Sequence, residues 1–422
     1  MDLIGSVPRR AVNLPSGSLA TLLGCALTGR IRRGGSLPRF ETEFARYLGA
    51  KHALFAASGR SAFRLGLEAL DLEPGREILF PAFTFPVMPM VARHLGFEPV
   101  FCDADPETYN SGPEHFEPRI TEKTGAILAT HLFGLPCDIE ALRDLATSRG
   151  IALIEDCAHA CGARSGGRML GTFGDLSIFS FAEGKNMPCF GGGALVTSDE
   201  RIASRAREIL NGAHVPGALA TFGKGLSTWL KWLLTRPLIF GITVFPLLRL
   251  RLLAGKPLLD SSMGDELLDE YASGDTEIAR LVNLQAAIGR KQLRTIDAFN
   301  DGARRNAAVL TKRIGVVPGI RPARSISNEH IYVYYPIAVD AEKRDDLRHH
   351  LLRHGIDTKT TDMADCATLG PFRNAAERRG GRAGPTEAAL LEVCVYPVLS
   401  ERRMKKVARV IRSWAGLPEE GP

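Results

Sequence analysis

Residues Ile151–Gly193 read IALIEDCAHACGARSGGRMLGTFGDLSIFSFAEGKNMPCFGGG, and the whole chain can be read outward from them. Ile151–Glu155 is a short apolar run, the pattern of a strand buried on both faces of a parallel sheet. Asp156 follows at its carboxyl end, where open α/β sheets gather ligand-binding side chains. A second run, Leu176–Phe181, is followed four residues later by Lys185, ahead of the glycines Gly191, Gly192 and Gly193. A lysine so placed can form a Schiff base with an aldehyde cofactor and, once freed, can move protons on a substrate carbon. A buried carboxylate such as Asp156 would hold a pyridine nitrogen protonated and so make the ring a better electron sink. Together the two residues point to pyridoxal 5′-phosphate.

A matching anion site lies upstream. Ser58 and Gly59 in HALFAASGRSAFRLGLEAL close one strand and open a helix. The N–H groups of Gly59, Arg60 and Ser61 can therefore cradle a phosphate, aided by the helix dipole. Strand Glu77–Pro81, helix Val87–Leu95, strands Pro99–Cys102 and Gly125–Thr130 and helix Ile139–Ser148 continue the alternation. This order predicts an α/β fold with a mainly parallel sheet and helices on both faces.

IEDCAHACGA, the run G-D-x-x-x-F-S-F-x-x-x-K-N over Gly174–Asn186, GGGALVTSD and HLFGLPCDIEALRDLA resemble the DegT/DnrJ/EryC1/StrS family of sugar aminotransferases. The resemblance implies a fold type I pyridoxal phosphate enzyme that moves an amino group from glutamate or glutamine to a keto sugar on a nucleotide or related carrier. Nucleotide sugars, polysaccharide precursors and secondary metabolites are the expected setting, and a homodimer with active sites between subunits is the expected assembly. It places Lys185 on the Schiff-base lysine, Asp156 on the ring-nitrogen partner, His159 on a cofactor-side position and Ser180 on a phosphate ligand. Phe85 falls on the aromatic that stacks on the ring, with plain core packing as the alternative. Family dehydratases carry histidine where this chain has Lys185. Two departures stand out: relatives commonly have Thr at Arg60, and the block ending RLVNLQAAIG puts Ile278 where the family has an Asn that reaches the partner's cofactor phosphate. A membrane-associated sensor or scaffold that binds the cofactor without turnover is the rival reading, suggested by Ile278 and by TTDMADCATLGPF standing where the family has its substrate-side loop.

Composition is that of an ordinary globular protein: 422 residues, 45% hydrophobic and 24% charged. The eight cysteines show no metal-ligand spacing, so no metal is expected, and buried thiols in a reducing compartment are. No basic run followed by an apolar core and a cleavage site opens the chain, so the expected placement is cytoplasmic.

The charge is local. Lys224–Pro257, KGLSTWLKWLLTRPLIFGITVFPLLRLRLLAGKP, holds six Lys or Arg and no acid, and the rest of the chain balances at 47 basic against 47 acidic residues. This excludes a generally nucleic-acid-binding surface and directs attention to an insert at about residues 213–275. Its uncharged run is too short and too broken by Pro237, Gly241 and Pro246 to span a bilayer. Trp229, Trp232, Leu233, Phe240, Phe245 and Leu248 call for a cover, either an anionic membrane on the inner face met by Lys224, Lys231, Arg236, Arg249 and Arg251, or the dimer mate. Beyond it, a long basic helix from Gln285, strand HIYVYYPIAV, helix RDDLRHHLLRHGI, strand VCVYPV and a final helix predict a smaller C-terminal α/β domain. The division expected is 1–284, an N-terminal arm plus the cofactor-binding domain, and 285–422. TTDMADCATLGPF replaces the family's substrate-side loop, so the keto acceptor is not carried over.

Overall fold

The computed structural model describes residues 5–256, 277–322, 329–372 and 389–418. Seven strands build the main sheet: β1 His52–Ala56, β2 Glu77–Pro81, β3 Glu98–Cys102, β4 Thr124–Thr130, β5 Ala152–Asp156, β6 Leu176–Ser180 and β7 Gly193–Thr197. They lie in the order β1-β7-β6-β5-β4-β2-β3, and only β7 runs against the others. The fold is thus the expected α/β type with a mainly parallel sheet. Side-chain alternation along the strands feeds two apolar layers. In β5, Leu153 joins Phe40, Phe44, Phe55 and Phe179 on one face, whereas Ile154 joins Phe63, Phe80, Ile178 and Leu195 on the other.

Local signals set the helix ends. Ser58 Oγ accepts from Ser61 N–H at 3.1 Å and starts helix Gly59–Leu70. Asp138 caps Ile139–Arg149, which ends on Gly150 in the left-handed region. Asp199 caps Glu200–Gly212 through Arg201 and Ile202 N–H. The caps and parallel crossovers bring Thr130, Asp156 and Ser180 to the same carboxyl edge, and Thr130 and Ile178 flank Asp156 in register.

A smaller antiparallel sheet, β8 Ile320–Pro322, β9 Tyr335–Val339 and β10 Leu390–Val393, lies beyond. Helices Ala341–Arg353 and Glu401–Trp414 accompany it. The expected single long helix is two, Asn283–Leu293 and Ile296–Ile314. The expected strand VCVYPV also shifts upstream, since β10 stops at Val393. Asn306 Nδ2 donates instead to the carbonyls of Val395, Tyr396 and Leu399, and Pro397 has no N–H for a ladder. The N-terminal arm packs on this small sheet: Val7 N–H donates to Gly355 O at 2.8 Å, Asp357 N–H donates to Val7 O at 2.9 Å, and Arg9 pairs with Asp357 at 2.7 Å.

The insert folds as helices Ala218–Leu234, Pro237–Ile242 and Val244–Leu253. Residues 257–275 of it lie outside the described residues. Here the structure corrects the sequence reading, because the chain itself covers much of what was to be covered from outside. Phe240, Phe245 and Leu248 are buried with Leu352, and Trp229 and Trp232 pack beside Leu22, Phe190 and Ile288. Exposed instead are Leu219, Leu226, Leu230, Leu238, Ile242, Leu247, Leu250 and Leu253. No single described helix is long and apolar enough to cross a membrane.

Candidate active site

A cavity of about 600 Å³ opens at the carboxyl edge of the main sheet, and its walls include all seven residues picked from sequence: Gly59, Arg60, Phe85, Asp156, His159, Ser180 and Lys185. Asp156 is buried, and its Oδ1 accepts from Ala158 N–H at 2.9 Å. Burial raises its pKa, against the opposing pull of that N–H, of Lys185 and of His131. Behind it the Glu155 carboxylate accepts from the N–H groups of Gly171, Phe173 and Gly174 at 2.8, 2.6 and 2.8 Å, and faces His131 Nε2 at 3.3 Å. Glu155, His131 and Cys157 form the one metal-capable cluster among the described residues, and these hydrogen bonds give it a structural task.

Lys185 sits in a tight turn, its N–H on Ala182 O at 3.0 Å. The carbonyl before it, Gly184 O, accepts from two tyrosine hydroxyls of the C-terminal part, Tyr334 at 3.0 Å and Tyr396 at 3.1 Å. Burial pushes the Lys185 ammonium down to about 8; the Asp362 carboxylate opposes that shift, and the Lys359 cation adds to it. His159 is neutral: burial holds its pKa well below the ordinary range, and Nδ1 accepts from Phe133 N–H at 3.2 Å. Phe85 is only partly buried and touches both core layers.

At the far end the phosphate cradle differs in detail from expectation. Ser61 N–H is taken by the Ser58 cap, and Ser61 Oγ donates to Glu277 O at 2.8 Å, so the cradle reduces to the first-turn N–H groups of Gly59 and Arg60 with Ser180 beside them. A Cβ on Gly59 would lie 3.2 Å from Ser180 Oγ, so the glycine lets the hydroxyl close in. Ile278 packs against the apolar layer of Leu54 and Phe63.

Sequence reasoning missed several wall residues. Thr84 and Thr130 line the cavity, and among the described residues their buried Oγ1 atoms have no hydrogen-bond partner. Arg10 arrives from the N-terminal arm, and Tyr334 and Asp362 from the C-terminal part. Lys224, Ser227, Thr228 and Lys231 arrive from the insert. The last four recur at i, i+3, i+4 and i+7, a polar stripe on one helical face that was visible in the sequence. Two of the basic residues assigned to a membrane therefore face the cavity. Lys231 pairs with Glu183 at 2.9 Å, and a third, Arg236, lies 4.2 Å over the Trp232 ring.

An anion cradle at one end, a buried carboxylate at the other, a lysine of lowered pKa and two unsatisfied threonine hydroxyls fit a phosphorylated pyridine aldehyde. The sequence profile of the DegT/DnrJ/EryC1/StrS aminotransferase family matches residues 17–224 and 274–414. The chain belongs to this family. It is an aminotransferase with pyridoxal 5′-phosphate as its cofactor. The unmatched stretch between the two blocks falls within the insert.

Among its relatives is the dTDP-3-amino-3,4,6-trideoxy-alpha-D-glucose transaminase of Streptomyces venezuelae, 30% identical over 392 residues, covering 92% of this chain and 89% of that one. GDP-perosamine synthase of Escherichia coli O157:H7 is 29% identical, covering 78% and 76%. Among solved structures, DesI with its TDP-sugar product superposes with TM-score 0.71 at 25% identity, covering 97% of this chain and 93% of that one. S. venezuelae DesV in complex with a ketimine intermediate superposes with TM-score 0.70 at 26% identity, covering 95% and 94%.

Proposed function

We propose that this aminotransferase transfers the amino group of glutamate or glutamine to the ketone of a sugar, or a related ketone, carried on a nucleotide or a lipid, and that it does so as a homodimer in the cytoplasm. The observation that carries the reading is the meeting in one cavity of Lys185, Asp156 and the Gly59 helix start. Relatives named for dTDP, GDP and UDP sugars support the acceptor class.

The cofactor supplies an aldehyde carbon and an electron-withdrawing ring. The chain's residues divide the remaining work. With its pKa near 8, Lys185 Nζ is partly neutral at physiological pH and would serve both as the nucleophile that holds the aldehyde and as the base that takes and returns a proton on substrate carbon. Asp156 would hold a proton on the ring nitrogen through its carboxylate. Neutral His159 keeps Nε2–H available as a donor, because Nδ1 already accepts. Ser180 and the N–H groups of Gly59 and Arg60 would bind the phosphate, and Phe85 supplies an apolar wall. Arg10 offers a planar donor fork for the carboxylate of the amino donor.

The membrane reading moves to different side chains. The helix Val244–Leu253 exposes Leu247, Leu250 and Leu253. Beside it lies a second cavity whose walls include Arg249, Arg353, Arg402, Lys406 and Arg409, with no Asp or Glu among its lining residues. Exposed leucines bordered by cations suit an anionic bilayer surface, so we place the enzyme peripherally on the inner face of the membrane.

The test is spectroscopic. Added glutamate or glutamine should convert the lysine-bound cofactor to its amino form, and nucleotide-linked keto sugars should reverse the change. Borohydride trapping should put the cofactor on the peptide containing Lys185. A trapped peptide with another lysine, or a bound cofactor that no amino donor converts, defeats the reading.

A further inference from the structure

The phosphate end of the cavity lacks two family donors and gains two cations. Ile278 offers no hydrogen bond where the family places an Asn from the partner. Its segment lies in this chain's own core, with Ala57 N–H on Ala279 O at 2.7 Å and Ser61 Oγ on Glu277 O at 2.8 Å. The Ser61 hydroxyl proton is therefore spent on a backbone carbonyl and does not replace the Thr that Arg60 displaces. On the same side, Lys224 reaches in from the insert helix Ala218–Leu234. Its ammonium lies over Gly191, so closely that a Cβ there would sit 2.4 Å from Nζ and 2.8 Å from Cε. Gly191 has φ +92°, and its neighbour Gly192 bridges Ser58, the residue that caps the phosphate helix. Lys224 Nζ makes no hydrogen bond to the chain among the described residues. Burial lowers its pKa, with the Arg60 guanidinium as the next cause, and the Glu183 carboxylate, which is itself paired with Lys231, opposes the shift.

A buried ammonium beside a helix N-terminus is repelled by the helix dipole, and an anion bound at that N-terminus stabilises it. We propose that Lys224, together with Arg60, binds the phosphate of the cofactor from within the same chain, taking over the task that relatives give to a partner-subunit Asn. The insert is then part of the cofactor site as well as a surface element. The proposal rests on the pyridoxal phosphate reading of the cavity and adds a residue to it.

The decisive comparison is pyridoxal 5′-phosphate against pyridoxal, which lacks the phosphate, titrated into the full chain without substrate. Losing a charge-assisted contact should weaken binding of the phosphorylated form by about tenfold or more in Lys224→Met. Pyridoxal binding should be unchanged, and Lys224→Arg should retain most of the affinity. Arg60→Gln should show the same selective loss and provides the reading if Lys224→Met folds poorly. Unchanged phosphate-form affinity in Lys224→Met and Arg60→Gln overturns the proposal. Equal losses for both ligands also overturn it, since they would mark a packing role. A Lys224 that acted only on the diphosphate of a nucleotide substrate would raise KM for that substrate and leave cofactor affinity intact, which again overturns it. Absence of any lysine-bound cofactor in the wild type would instead overturn the reading of the cavity itself.

Discussion

Lys185 should capture its cofactor with a pH dependence set by the cavity and not by ordinary lysine chemistry. Only the neutral amine attacks an aldehyde, so the capture rate follows the deprotonated fraction. With the ammonium pushed down to about 8, about a quarter of the molecules carry a neutral amine at pH 7.5, against about one in a thousand for an ordinary lysine. The rate at that pH should thus exceed the expectation for a solvated lysine by about two hundredfold. It should rise through a midpoint near 8 and level off above about pH 9. Stopped-flow absorbance of cofactor uptake by the stripped full chain reads this directly. Asp362→Asn supplies the internal control, because that carboxylate favours the charged lysine and its removal should move the midpoint lower still. A midpoint at or above 10 in the wild type, or an upward shift in Asp362→Asn, would refute the reasoning.

Three other outcomes are expected. Asp156→Ala should bind the cofactor weakly and lose about a hundredfold or more in turnover, because nothing then holds the ring nitrogen protonated; undiminished turnover would assign that task elsewhere. Glu155→Gln should destabilise the fold by about 3 kcal/mol, since an amide cannot accept all three N–H groups that now point at the carboxylate. A urea unfolding curve within 1 kcal/mol of wild type, on the order of error in such extrapolations, would show that the network relaxes without loss. Replacing Leu247, Leu250 and Leu253 by Ser should abolish flotation with anionic liposomes while leaving cofactor binding intact, and equal flotation of both proteins, or of neither, would remove the membrane from the account.

Much of this was legible because buried parallel strands are written as short continuous apolar runs. β5 and β6 end at Asp156 and Ser180 within one residue of where the runs place them, and the lysine follows at a fixed interval. The cavity's other walls were harder to read because they come from segments far apart in sequence. Arg10 and Tyr334 arrive by packing of the arm and the small sheet, and nothing local in either stretch announces it. The insert misled in a more instructive way. Its large apolar residues were read as needing an external cover, yet Phe240, Phe245 and Leu248 find Leu352 within the chain, and smaller leucines are left outside. A count of apolar side chains does not say which face turns inward. The stripe of Lys224, Ser227, Thr228 and Lys231 did carry that information, since polar residues at helical spacing along an otherwise apolar segment mark a second environment.

The Gly184 carbonyl takes a hydrogen bond from each of two tyrosines, one just ahead of β9 and one just beyond β10. The peptide leading into Lys185 is therefore slung from the small sheet by two parallel ties, while Asp156 is rooted in the large one. The turn that carries the nucleophile is thus held from the small sheet, and the carboxylate that faces the ring nitrogen from the large one, so the two parts of the chain share the placement of the reacting groups.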